Sequence, residues 1–99
     1  MIKIKASEEK GLYSIEMQGH AGFNPGNDIV CAAASMMIQA LNASILNGID
    51  KSVLKNAEFS HGNAKIEFVG SETLYNHTVL GFRLLEKAYP QNVSVESKS

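Results

Sequence analysis

Hydrophobic and polar residues alternate near the start of the chain. Ile2 and Ile4 are separated by lysines, which predicts a half-buried strand over residues 1–7. Residues 8–11 are typical of a turn, and the alternation within residues 12–18 predicts a second strand. The chain therefore opens with a predicted β-hairpin, and each strand is expected to bury one face.

A long uncharged run comes next. Residues 29–47 contain no glycine, proline or charged side chain, and this composition favours a helix. Asp28 can cap the first turn with a carboxylate oxygen, and Gly48 suits the position just after a helix end. Such a helix is about 28 Å long. Because polar residues interrupt the run at nearly every turn, we expect that it does not cross a membrane.

The second half of the chain predicts two strands, a helix and a last strand, in that order. Their predicted ranges are 53–60, 64–68, 72–89 and 93–95. Ser71 can cap the helix, and Pro90 ends it. The polar residues 96–99 are expected to fray, because a chain end without apolar side chains has little to pack against.

The predicted order of elements is ββαββαβ, without a linker or an internal repeat. Since neighbouring strands form hairpins, the sheet is expected to be mainly antiparallel, with two helices packed on it. The predicted fold class is therefore α+β, a sandwich of two or three layers. A chain of 99 residues, 44% of them hydrophobic, is expected to form a single domain over residues 1–99.

Composition and charge argue against several classes of function. A net charge of −1 provides no concentrated basic surface for nucleic acid. A lone cysteine cannot form an intrachain disulfide, and it suits the reducing cytoplasm. The sequence carries no signal-peptide pattern and no close Cys/His pair of the kind that binds zinc. We therefore expect a cytoplasmic protein without metal or cofactor, and without a membrane or a direct nucleic-acid partner.

Cys31, the only cysteine, is predicted to lie in the first turn of the first helix. Unpaired backbone N–H groups at a helix start favour an anion, and therefore a thiolate. They are also expected to hold the oxyanion of an acyl-transfer reaction. A polar stripe follows one face of this helix at Asp28, Cys31, Ser35, Gln39 and Asn42. This arrangement favours a reactive cysteine over an inert core cysteine.

His20 is the candidate general base. It follows Gly19 at the end of the second predicted strand, and a short loop separates it from the first helix. A strand end and a helix start can be neighbours across such a loop, which would bring the imidazole to Cys31. The other two histidines, His61 in a predicted turn and His77 in a predicted helix, are expected to be solvated and without a role.

The glycine-rich loop of residues 21–27 is predicted to be mobile. Gly22 and Gly26 allow wide backbone freedom, whereas the proline between them restricts only its own neighbourhood. We expect the loop to act as a lid that closes over the cleft when a peptide binds. In the closed state, Phe23 is expected to contact an apolar side chain of the substrate.

One stretch of the chain resembles a known signature. Residues 19–21 read Gly-His-Ala, and residues 26–35 read Gly-x-Asp-Ile-Val-Cys-Ala-Ala-Ala-Ser. Together they are similar to the signature of the ribosomal-processing cysteine proteases of the Prp family. The likeness in length and element order covers the whole chain, while the signature is confined to residues 19–35. The motif is long and therefore specific.

The resemblance implies both a site and a substrate. It implies a catalytic dyad of His20 and Cys31, with Gly19, Asp28 and Ser35 as supporting residues of the active site. It also implies an endopeptidase that removes a short N-terminal extension from a large-subunit bacterial ribosomal protein. The substrate follows from the resemblance alone, since no spacing or composition in this chain points to it.

Three functions remain open on the residues themselves. In a cysteine peptidase, the Cys31 thiolate attacks the scissile carbonyl while His20 transfers the proton. In a thiol redox sensor, the same cysteine is oxidised, and any disulfide joins two chains. In a non-enzymatic, ribosome-associated binding module, the thiol takes no part.

The first helix also predicts a homodimer. It carries no charge between Asp28 and Asp50, and it is too long for so small a sheet to cover completely. We expect a partly exposed apolar patch formed by Met36, Met37, Ile38, Leu41, Ile45 and Leu46. A two-fold contact would cover that patch, and members of the family that the chain resembles are also dimers.

Overall fold

The computed structural model describes residues 1–24, 26 and 28–98. Over these residues it confirms the predicted ββαββαβ order and adds one short 3-10 helix after the first α-helix. The elements are β1 (Ile2–Glu9), β2 (Leu12–Gln18), α1 (Ile29–Leu46), the 3-10 helix (Ile49–Lys51), β3 (Val53–Ser60), β4 (Asn63–Val69), α2 (Glu72–Ala88) and β5 (Val93–Lys98).

The strands form one sheet in the order β3-β4-β2-β1-β5. The pairs β1–β2, β2–β4 and β3–β4 are antiparallel, and β1–β5 is parallel. The expected mainly antiparallel sheet is therefore confirmed. Because β5 lies beside β1, the loop before β5 meets the start of β1, and the N–H of Ile2 donates to the Asn92 carbonyl at 2.8 Å.

The expectation that residues 96–99 fray is wrong for residues 96–98. β5 continues to Lys98, which is the register partner of Ser7 on β1. A parallel strand is held by its backbone ladder, so polar side chains facing solvent do not end it. Ser99 lies outside the described residues.

The two faces of the sheet differ in polarity, which decides the number of layers. One face is buried, and its largest side chains include Ile4, Ile15, Ile66 and Phe68. The other face carries a row of cross-strand neighbours with alternating charge, from β3 to β5: Glu58, Lys65, Glu16, Lys5 and Glu96. A charged face stays in water, so both helices cover the opposite face and the sandwich has two layers.

Both predicted helix caps are confirmed. Asp28 caps α1 with its side chain, and Ser71 caps α2 by accepting the Leu74 N–H at 3.0 Å. After α1, Gly48 adopts a φ of 69°, a left-handed conformation that glycine takes without steric cost. The turn that follows brings Asp50 within 2.7 Å of the Ser71 hydroxyl, which donates to it and ties the end of α1 to the start of α2.

α1 is the core helix of the sandwich. Its length and mean hydropathy of 1.8 would suffice for a membrane crossing. However, a stripe of five buried side chains, Val30, Ala34, Ile38, Leu41 and Ile45, joins the core formed with the sheet. A helix with one buried stripe and a partly polar opposite face is typical of a globular core.

The prediction that six apolar residues of α1 are partly exposed is wrong for three of them. Ile38, Leu41 and Ile45 are buried within the chain itself, because they share the stripe that faces the sheet. Met36 and Leu46 are exposed, with 65% and 67% of their surface accessible. Any second copy would therefore meet other exposed side chains than those three.

Candidate active site

Cys31 lies in the first turn of α1 and is partly exposed, as predicted. Its sulfur accepts the backbone N–H of Ala21 at 3.1 Å, a contact that stabilises negative charge on sulfur. Ser35 and Gln39 follow on the same helix face, and all three side chains line one cleft of about 450 Å³. Three members of the predicted polar stripe therefore face a cleft, whereas Asp28 and Asn42 do not line it.

The cleft lies at one end of the sheet. Its walls are the start of α1, the end of β2 and the turn between β3 and β4. Ile2, Met17 and Ile38 contribute apolar surface, and polar groups from His20 and Asn63 also line it. A concave site with an apolar floor and a few convergent polar groups is typical of a binding pocket.

Asp28 is fully engaged by backbone N–H groups. One carboxylate oxygen accepts from Val30 at 3.0 Å and from Cys31 at 2.9 Å, and the other accepts from Phe23 at 3.0 Å. These hydrogen bonds, the one from the Cys31 N–H foremost, hold the pKa of Asp28 below its usual value. The carboxylate thus joins the loop to the helix start, because its two oxygens accept N–H groups from both.

This engagement corrects the expectation about the oxyanion. The first-turn N–H groups of Val30 and Cys31 are bound to the Asp28 side chain, and the N–H of Ala32 donates to the Asp28 carbonyl at 3.1 Å. These donors are therefore occupied. The described backbone donor that points at the sulfur is the N–H of Ala21.

His20 reaches the same cleft as Cys31, but among the described residues no hydrogen bond joins the imidazole to the thiol. Its ring instead packs near the ring of His61, with centroids 5.1 Å apart and planes at 49°. His61 is exposed as predicted. It nevertheless lines the cleft, which the sequence analysis missed because the β3–β4 turn is distant in the chain from His20.

Gly19 fixes the direction in which the chain leaves β2. Its φ is 92°, and its N–H donates to the Gly62 carbonyl at 2.7 Å. A Cβ at this position would lie 2.5 Å from the carbonyl oxygen of Met1, so only glycine fits without a shift of the backbone. The end of β2 is thereby tied to the turn between β3 and β4.

The loop after His20 is anchored rather than free at its start. Ala21 is buried, and its carbonyl accepts the side-chain N–H of Asn92 at 3.0 Å. The Phe23 and Tyr89 rings pack edge to face, with their centroids 5.3 Å apart. Nothing local in the sequence marks Asn92 or Tyr89, because both precede β5 near the other end of the chain.

The remaining residues of the predicted lid divide into two groups. Gly22 and Gly26 have φ values of 69° and 86°, in the left-handed region that glycine adopts without steric cost, while the mobility of the loop stays a prediction. Pro25 and Asn27, which the sequence analysis also assigned to the loop, lie outside the described residues. Across residues 1–24, 26 and 28–98, no three His, Cys, Asp or Glu side chains are grouped so that they could hold a metal ion.

Comparison with solved structures confirms the fold. The essential ribosomal processing protease Prp of S. aureus, in complex with a covalently linked product peptide, is 22% identical to the chain with a TM-score of 0.84, over 99% of this chain and 100% of that one. In complex with a substrate peptide it is 21% identical with a TM-score of 0.75, over 99% and 100%. A protein from Streptococcus mutans is 25% identical with a TM-score of 0.73, over 100% and 96%.

Comparison at the level of sequence families gives the assignment. No curated protein matches the chain. A family model described as cysteine protease Prp, however, matches residues 1–94, which is nearly the whole chain and includes the cleft and the lone cysteine. The chain is therefore a cysteine protease and belongs to the Prp family.

Proposed function

We propose that Cys31 is the nucleophile of this protease and that His20 is its general base. The observation that carries the proposal is that both side chains line one cleft, where the only cysteine accepts an N–H hydrogen bond at its sulfur. The two groups need not touch before substrate binds, because catalytic hydrogen bonds in free enzymes are often long and tighten in the complex.

The first half of the reaction forms a thioester. His20 takes the thiol proton as the Cys31 sulfur bonds to the scissile carbonyl carbon, and the carbonyl electrons move to oxygen. The N–H of Ala21 donates to the sulfur before attack, and it can turn to this oxyanion once the negative charge has moved from sulfur to oxygen. When the C–O double bond re-forms, the C–N bond breaks, and His20 gives the proton to the leaving amine.

The second half releases the enzyme. His20 removes a proton from water, the hydroxide oxygen bonds to the thioester carbon, and, as the C–S bond breaks, His20 returns the proton to the sulfur. The products are a new carboxylate and the free thiol of Cys31. In this scheme Gly19 and Asp28 hold the backbone on either side of the loop, and Ser35 offers a hydroxyl to the substrate from the cleft wall one turn after the sulfur.

The proposed substrate is the N-terminal extension of a large-subunit ribosomal protein. Membership of the Prp family supports this substrate class. The S. aureus protein of the same fold is described as a ribosomal processing protease and has been seen with a substrate peptide and with a covalently linked product peptide. A cleft of about 450 Å³ open at one end of the sheet has room for part of an extended peptide.

Cleavage of candidate precursor proteins, read by mass spectrometry, tests both parts of the proposal. Wild type should yield a fragment with a new N-terminus, and Cys31→Ala should lower the rate by more than about 10³-fold. His20→Ala should lower it by about 10²–10⁴-fold, since a general base contributes that much. Oxidation of Cys31 without cleavage would indicate a redox sensor, and peptide binding without either reaction would indicate a binding module.

Three further features belong to the proposal. Residues 1–99 act as one protease domain, and the loop segment containing Gly22, Phe23 and Gly26 closes over bound peptide. The loop proposal is supported by positive φ at both glycines and by the exposure of Phe23.

The protein works as a homodimer in the cytoplasm, where a single free cysteine stays reduced. Cell fractionation that recovers it outside the cytoplasm would contradict the location.

A further inference from the structure

The His20 side chain lacks the partner that orients the base in other thiol and serine hydrolases. There, a third polar group usually hydrogen-bonds to the imidazole and fixes its direction. Among the described residues, His20 has no such hydrogen bond. The nearby acid, Asp28, accepts from the N–H groups of Val30, Cys31 and Phe23 instead.

The turn between β3 and β4 lies against the His20 side chain. The Gly62 carbonyl accepts the N–H of Gly19, so the turn and the residue before His20 move as one unit. A Cβ on Gly62 would lie 3.0 Å from Nε2 of His20, which places the turn backbone against one part of the imidazole. The His61 ring, at a centroid distance of 5.1 Å, packs against another part.

The geometry points to His61 as a positioning residue of the active site. Its ring and the Gly62 backbone hold the His20 imidazole in the cleft and limit its rotation, a task that a hydrogen-bonded acid or amide performs in related chemistry. Packing between rings at this separation stabilises one orientation of an exposed side chain. This inference rests on the proposed role of His20.

Two substitutions separate ring packing from the other properties of histidine. His61→Ala removes the ring, and we expect kcat to fall about tenfold, because misplacing a catalytic group by about 1 Å costs up to 10²-fold. KM should stay within about twofold, since the role assigned to His61 is to orient His20 and not to bind the peptide. His61→Phe keeps an aromatic ring but no titratable nitrogen, and it should restore most of kcat.

Lys87→Ala is the control, because Lys87 is also exposed but lies on α2, away from both the cleft and the groove between the helices. It should leave kcat unchanged. His61 is exposed in a turn, so all three variants should unfold at nearly the wild-type temperature. An unchanged kcat in His61→Ala, or a kcat in His61→Phe as low as in His61→Ala, would overturn the inference.

A second measurement is independent of activity. Nuclear magnetic resonance of the free chain should show contact between the His20 and His61 ring protons, and restricted motion of the His20 ring. That restriction should be lost in His61→Ala and kept in His61→Phe. Equal motion of the His20 ring in wild type and His61→Ala would refute the role of His61 even if no peptide is cleaved. Failure of cleavage alone would count only against the proposed function.

Discussion

At the residue scale, Asp28 connects the helix start to the loop through its two carboxylate oxygens. Three backbone N–H groups donate to it, and together they hold its pKa below the usual 3.8. For a carboxylate with a lowered pKa, the contribution to folding stability is complete above the unfolded value and is lost as the pH falls through the folded value. Asp28 therefore stabilises the chain at neutral pH, and this contribution declines progressively as the pH falls below 3.8 toward the lowered pKa.

Asp28→Asn keeps an oxygen for the N–H groups of Val30 and Cys31, but it presents N–H₂ where the Phe23 N–H needs an acceptor. We expect an unfolding temperature a few degrees below wild type near pH 7 and a smaller difference near pH 3. Thermal unfolding at both pH values is the measurement. Glu9→Gln, at an exposed carboxylate, should match wild type at both. A deficit for Asp28→Asn that is equal at the two pH values would show that ionisation of Asp28 plays no part.

Residue-scale prediction from sequence succeeded where the contacts are local. Asp28, Cys31 and Ser35 are related by helical spacing, so their common orientation follows from one helix. His61 and Asn92 were missed, since each meets the site only after the sheet has formed. The side chain of Asn92 contacts a residue 71 positions away. No periodicity within one element can report such a contact.

At the element scale, the loop before β5 holds the loop before α1. The Asn92 side chain donates to the Ala21 carbonyl at 3.0 Å, and the Phe23 ring packs on Tyr89. Because the Ala21 N–H is bound to the Cys31 sulfur, the clamp also sets the environment of the Cys31 thiol. The free chain therefore holds the loop at both Ala21 and Phe23, and a lid motion would have to move the Phe23 ring off Tyr89.

Asn92→Ala should release this clamp and lower kcat about tenfold, as loss of positioning does elsewhere. Asn92→Asp, which has the same shape without the N–H donor, should be at least as slow. Within the segment 22–26, amide hydrogen exchange at Gly22 and Gly26 should be fast in free wild type, faster in Asn92→Ala and slower with peptide bound, whereas the Phe23 N–H is already held by Asp28. Gln91→Ala, at the exposed neighbour, is the control. Slow exchange at Gly22 and Gly26 in the free wild type would refute the lid.

Most elements were predictable because periods of 2 and 3.6 residues are local properties of the chain. The ends of β2, the two caps and the position of Gly48 follow from residues a few places apart. The length of β5 does not, since its last residues are held by a parallel ladder to β1. The 3-10 helix after α1 was also missed, because it is a single turn with Asp50 and Lys51 at positive φ, 54° and 63°, and so short an element has no hydrophobic period.

At the scale of the whole molecule, the sheet and the helix layer present opposite surfaces to solvent. The outer face of the sheet carries cross-strand neighbours of alternating charge, such as Lys5 between Glu16 and Glu96. Such a face is well solvated and needs no cover. The helix layer instead has an apolar groove of about 270 Å³ between α1 and α2, lined in part by Leu80 and Leu84.

The exposed surface of the helix layer predicts where two copies meet. Leu80 is 56% exposed and Leu84 60%, beside the groove, and Met36 on α1 is 65% exposed. Apolar side chains concentrated on one surface favour association, so sedimentation at micromolar concentration should give a dimer. The double variant Leu80→Glu/Leu84→Glu should sediment as a monomer, because it places carboxylates in the apolar contact. Lys3→Glu changes the net charge by the same amount as the double variant does, but on the polar face of the sheet, and it should leave the dimer intact. A wild type that stays monomeric and cleaves its substrate at full rate would refute the dimer, and a dimer that survives the double variant would place the contact elsewhere.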